Sequence, residues 1–188
     1  MELAKATIRV FLASALLVVI LLLFDRTKRL LFMLGIITAT CLFAFLKHKL
    51  LRKLSLPDMG YLRQVSNAVE LITFTTVMGT HLFGPMVGMI SGALSMAGTY
   101  VFEKRISKFS LATVPMYAAL GSAIAFLPAM DIRLVGSLAA IIYNVGLTAL
   151  LMAVFTIRIS KMLAFSIPNI LFNIYIFYTF SRIFTSIF

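Results

Sequence analysis

From Leu71 to Phe102 the chain runs for 32 residues without an Asp, Glu, Lys or Arg, and Phe83-Gly84-Pro85 falls near the middle of that run. As a single helix the stretch would reach ~48 Å at ~1.5 Å per residue, against a bilayer hydrocarbon core of ~30 Å. It must therefore turn back on itself. Pro85 cannot donate a backbone hydrogen bond and Gly84 tolerates the dihedrals of a tight turn, so the sequence predicts two membrane helices joined by almost nothing.

The rest of the chain agrees with that setting. Of its 188 residues 62% are hydrophobic and the mean hydropathy is +1.07, well beyond a soluble domain, where roughly 45–50% apolar is usual. Charges and helix breakers divide it into seven apolar segments, about 8–24, 30–46, 66–83, 85–102, 109–130, 134–157 and 162–181. The reading is an all-α, multi-pass membrane bundle of about seven spans, one integral domain over residues 1–188, with the lipid bilayer as its surroundings. Segment 8–24 follows Lys5 and Arg9 and is followed by Asp25-Arg26-Thr27-Lys28-Arg29 without a small-x-small cleavage site, so it reads as an uncleaved first span.

The net charge of +11 raises the possibility of nucleic-acid binding. Its distribution points elsewhere, because the basic residues sit in short clusters between apolar runs, as in membrane proteins that use them to set orientation. With seven spans, twelve Lys and Arg residues collect on the side of Lys5, Lys47-His48-Lys49, Arg52-Lys53, Lys104-Arg105 and Lys161, and five on the side of Arg26, Arg133 and Arg182. The positive-inside rule then puts the N-terminus in the cytoplasm and the Gly84-Pro85 turn outside. The leucines among residues 46–54 share a helical face, so that basic segment reads either as an ordinary cytoplasmic loop or as an interfacial contact with anionic lipid.

Each polar residue within an apolar segment needs a reason, since burying it in hydrocarbon is costly. Glu70 is the single acidic residue inside one. With Asn67 three residues earlier it resembles a capping box at a helix start, and the alternative is a ligand contact in a cavity. Asn144 lies on one face with Gly136 and Ala140, and Asn169 and Asn173 are one turn apart after Pro168. These amides read either as interhelical glue or as the lining of a binding pocket, with Asn169 also placed to satisfy backbone freed by Pro168. Gly84, Gly88 and Gly92 are spaced by four along the fourth segment, a surface for tight packing inside the bundle or on a partner helix.

Catalysis finds little support. Asp25, Asp58 and Asp131 all fall in loops, which leaves no carboxylate pair for aspartyl chemistry. Ser91 has only His48 and His81 as conceivable bases. No P-loop is present, and His81 lacks the companions a zinc site needs. The single cysteine, Cys41, lies in an apolar run. The chain reads as a non-enzyme without a cofactor or a metal.

The run Gly79-Thr80-His81-Leu82-Phe83-Gly84-Pro85-Met86-Val87-Gly88-Met89-Ile90-Ser91-Gly92-Ala93-Leu94 resembles the second and third helices of the substrate-binding S components of energy-coupling factor (ECF) transporters. Similar turns occur in MreD-like cell-shape proteins and in the membrane sensor domains of some histidine kinases. The S-component resemblance covers residues 69–99. It implies a six-helix core from segment 30–46 to 162–181, preceded by an extra span. It also implies a vitamin-like or micronutrient-like ligand bound near the outer face, a membrane coupling protein with two ATPases as partners, and a cell-membrane location. By position, Asn144, Asn169 and Asn173 become the candidate ligand contacts, with Glu70 beside them. The family puts its Gly-Pro turn in the cytoplasm, opposite to the charge-derived orientation, and carries alanines four apart on its first core helix where this chain has Gly35 and Ala39. The alternative resemblance implies a non-catalytic scaffold that offers Gly84, Gly88 and Gly92 to partner helices.

Overall fold

The computed structural model describes residues 25–53, 65–103, 109–127, 130–155 and 157–187. Six helices make up the described chain, with no strand among those residues: α1 (Asp25–Lys53), α2 (Ile72–Phe83), α3 (Pro85–Phe102), α4 (Ser110–Ile124), α5 (Ile132–Phe155) and α6 (Ile159–Ile187). Four of them are long and apolar enough to cross a membrane, over Leu30–Leu51, Pro85–Phe102, Ile132–Phe155 and Ile159–Ser186. The expected span 8–24 lies outside the described residues. The segment expected over 109–130 is shorter than foreseen, since α4 stops at Ile124 and a turn follows. The chain divides into two compact units at Gly35, and the packing considered from here on belongs to the second, Ile36–Phe188.

The hairpin forms as the sequence predicts. Helix α2 ends at Phe83, Gly84 alone bridges the two helices at φ 95°, and Pro85 opens α3. That φ lies where a side chain is strained, and proline at the first helical position loses no hydrogen bond that the helix would have made.

Helix α2 is the axis of the bundle. It packs against α3, α4, α5 and α6, and all nine residues from Ile72 to Thr80 are buried. A helix enclosed on every side in a membrane protein has to satisfy its own polar groups. Thr75, Thr76 and Thr80 do so by donating to the carbonyl four residues back, at 2.9, 2.8 and 3.0 Å. Thr75 also meets Thr40 of α1 at 2.8 Å.

Glycine allows the neighbours to come this close. A Cβ on Gly88 would overlap the Thr80 hydroxyl and approach the Thr76 carbonyl oxygen to 2.8 Å, and one on Gly92 would overlap the Thr76 hydroxyl. On α4, a Cβ on Gly121 would come within 2.5 Å of the Met89 backbone nitrogen. The face formed by Gly88 and Gly92 is therefore filled by α2 within the hairpin, while Gly84 is the turn residue itself. The outer surfaces show the opposite pattern: on α5, Leu134, Leu138, Ile141, Ile142 and Val145 are exposed, whereas Ala140, Asn144 and Leu147 are buried. Apolar residues outside and polar residues inside suit a bundle whose solvent is lipid.

Candidate functional site

The alternation of helices places particular residues at each end. Helix α2 leads away from Glu70, α3 returns to Glu103, α4 leaves from Phe109, α5 returns, and α6 leaves from Ile159. At the end marked by Glu70 and Glu103 the helices splay around a cavity of about 660 Å³. Lys47, Asn67, Glu70, Thr99, Tyr100, Glu103, Thr113, Tyr143 and Lys161 supply its polar lining, and Met96, Phe109, Leu147, Leu151, Ile157, Met162 and Phe165 the apolar remainder. Its size and its mixture of a largely apolar wall with a few polar groups are those of a small-molecule site.

Glu70 stands in the short connection just before α2 and is 7% exposed. The expected capping box does not form. Helix α2 begins after Leu71, no side chain caps it, and no acidic residue lies in its first turn. The carboxylate instead reaches inward: Tyr117 Oη of α4 donates a short hydrogen bond to Glu70 Oε1, and Asn169 Nδ2 of α6 donates to the same oxygen at 3.2 Å. Thr73 Oγ1 lies 3.3 Å from the Tyr117 hydroxyl, and the Tyr117 ring stacks on Tyr143 of α5 with centroids 4.1 Å apart. A chain of neutral donors from three helices thus holds one acid at the cavity wall.

The three asparagines meet behind Glu70. Asn169 Nδ2 also donates to the Ala68 carbonyl at 2.8 Å, which ties the α6 interior to the segment carrying Glu70. Its Oδ1 accepts from Asn144 Nδ2 at 2.7 Å and from Asn173 Nδ2 at 3.2 Å. Asn144 and Asn173 complete their donors on the carbonyls four residues earlier, Ala140 and Asn169, at 2.8 and 2.9 Å. All three are fully buried, and none lines the cavity. The structure brings Asn144, Asn169, Asn173 and Glu70 into one network, but Glu70 alone of the four reaches the open volume. Asn169 bonds to the distant Ala68 carbonyl rather than to backbone released by Pro168.

Across the mouth, Lys47 Nζ of α1 pairs with Glu103 Oε1 at the end of α3, 3.1 Å away, and donates to the Val69 carbonyl at 3.2 Å. Both side chains are largely buried, at 12% and 5% exposure, so the pair is shielded from water and its electrostatic attraction is not screened away. Tyr100 and Thr113 hydroxyls meet at 2.7 Å on the same rim. Sequence reasoning placed Lys47 in an orientation cluster and did not single out Glu103, Tyr117 or Tyr143. Glu103 is followed directly by Lys104 and Arg105, between two apolar segments. Nothing in the local sequence marks Tyr117 as the partner of an acid 47 positions away.

The other end of the bundle is built differently. The Gly84 turn lies there, and Asp131, just before α5, grips Arg133 through Nε and Nη2 at 3.0 and 2.8 Å while accepting the Arg133 backbone N–H at 2.8 Å. These bonds hold the Asp131 carboxyl well below the usual carboxylate range. The Arg133 guanidinium lies 5.6 Å over the Tyr178 ring of α6. His81 is exposed beside the turn.

No family model, curated protein or solved structure matches the chain.

Proposed function

We propose that this chain is a membrane-embedded binding subunit for a small molecule, of the S-component type found in ECF transporters, with seven spans and a place in the cell membrane. The observation that carries the reading is the cavity of about 660 Å³ walled by Glu70, Lys47 and Glu103. Charged and amide side chains inside a membrane bundle are costly, and they are retained where a substrate or ion is handled. The position of the cavity adds support, because it opens at the end opposite Gly84-Pro85, where the S-component resemblance implies a ligand site. The scaffold alternative needs a free glycine face, and Gly88 and Gly92 lie against Thr80 and Thr76 instead.

The test is purification of the tagged protein from native membranes in gentle detergent, with mass spectrometry of both co-purifying proteins and extracted small molecules. A membrane coupling protein with paired ATPases is expected, together with a small molecule that is lost in Leu147→Trp, a substitution that fills the cavity. Cell-envelope proteins without any bound molecule would overturn the reading in favour of a scaffold. A bound molecule without ATPases would retain the binding function and remove the transporter assignment.

A further inference from the structure

Two lysines and two glutamates line the cavity, and the way they are paired bears on what it takes. Lys47 is committed to Glu103 and to the Val69 carbonyl. Lys161 is exposed at the start of α6. Glu70, by contrast, is buried and has no lysine or arginine within ion-pair distance among the described residues; its partners are the neutral donors Tyr117 and Asn169. Both of those bonds arrive at Oε1, and neither engages Oε2. Two further groups of the lining are unsatisfied. Thr99 Oγ1 and Asn67 Oδ1 are buried without a hydrogen-bond partner, and Thr99 as a residue is only 6% exposed. A buried acceptor or hydroxyl without a partner is costly, and native proteins leave such groups where something else completes them.

We infer that the cavity selects a small organic cation whose N–H groups bond to Glu70 Oε2 and Asn67 Oδ1 and whose apolar body lies against Phe165, Leu147 and Met96. This rests on the small-molecule reading above and adds the chemical class. A carboxylate or phosphate ligand would have to approach Glu70 with like charge, and the buried lysine that could receive it is already paired. An ammonium or amidinium group supplies the positive charge that Glu70 lacks, and its several donors match acceptors that are otherwise unfilled. An uncharged ligand with a single hydroxyl donor could fill only one of the two acceptors, Glu70 Oε2 and Asn67 Oδ1.

The experiment compares three probes of nearly equal shape, benzamidinium, benzyl alcohol and benzoate, on the purified full chain. Unfolding is followed with a thiol-reactive dye, which reads the exposure of the single, buried Cys41. A saturable rise in melting temperature with benzamidinium is expected, with at least tenfold weaker response to benzyl alcohol and none to benzoate. In Glu70→Gln, which keeps an acceptor for Tyr117 and Asn169, benzamidinium should lose its advantage over benzyl alcohol. The wild-type comparison needs no variant to fold. A stronger response to benzoate, equal responses to all three probes, or no response to any would overturn the cation assignment. The binding reading itself fails separately, if no small molecule accompanies the protein from its native membranes.

Discussion

The two ends of the bundle use the same kinds of residue for opposite results. At the end of the hairpin turn, glycines bring backbones together: Gly88 and Gly92 of α3 press on α2, and Gly121 of α4 presses on Met89. The one ion pair described there, Asp131 with Arg133, joins residues two apart, and its described reach to a distant helix is the Arg133 guanidinium over the Tyr178 ring. At the open end, larger side chains line the cavity between the helices, and the ion pair joins α1 to α3 over 56 positions of sequence while nearly buried. Closeness at one end is set by the absence of side chains. Separation at the other is set by charged groups that need one another.

The largest effect should come from breaking the turn end. Gly88→Leu would place a side chain into Thr80 and the Thr76 carbonyl, and the hairpin could not close without moving backbone. We expect a loss of ~3 kcal/mol or more, the upper range for overpacking, seen as disappearance of the monodisperse peak in size-exclusion chromatography. Breaking the open end should come next. Lys47→Met removes one cation from the buried Glu103 carboxylate, a change that costs about 3 kcal/mol in buried pairs and less where some exposure remains. Thermal unfolding should show the loss, and Lys47→Met/Glu103→Gln together should recover part of it. Recovery of none would mean that the pair is not the main strut of the cavity.

The smallest effect sharpens the contrast. Asp131→Asn should leave the melting temperature nearly unchanged, because the group is exposed and its attraction to Arg133 is screened. The sign of its pH dependence follows from its lowered folded-state value. Any stabilisation by Asp131 is complete above the ordinary carboxylate range and fades only as pH falls below it. Melting temperatures of wild type and Asp131→Asn should therefore coincide in their change between pH 7 and pH 5.

The same contrast explains what the sequence disclosed. The hairpin was legible because its signals are local: an uncharged run too long for one span, with Gly-Pro at its centre. The apolar helices were legible for the same reason. Glu70 could be recognised as anomalous by its setting, but its partners could not, since Tyr117 and Asn169 lie 47 and 99 positions away and reach it only through packing. The capping box failed because α2 starts after Leu71, so Asn67 and Glu70 precede the helix rather than open it. The asparagines were rightly grouped by face within each helix. Their joint convergence on Asn169 depends on how α5 and α6 sit against one another, which no single-helix periodicity contains.

Helix α2 has one property that follows simply from its length. At 12 residues it rises only ~18 Å, well short of the ~30 Å of hydrocarbon that its neighbours α3, α5 and α6 are long enough to cross. Were the Gly84 turn set at one membrane surface, Glu70 at the other end of α2 would sit some way inside the opposite one. A charged ligand that settles beside Glu70 has then already traversed part of the transmembrane electric field. Since a full crossing is worth ~2.3 kcal/mol per charge at 100 mV, the affinity for a cation there would change with membrane voltage. The shortness of one helix would thus make the occupancy of this cavity a function of how strongly the cell is polarised.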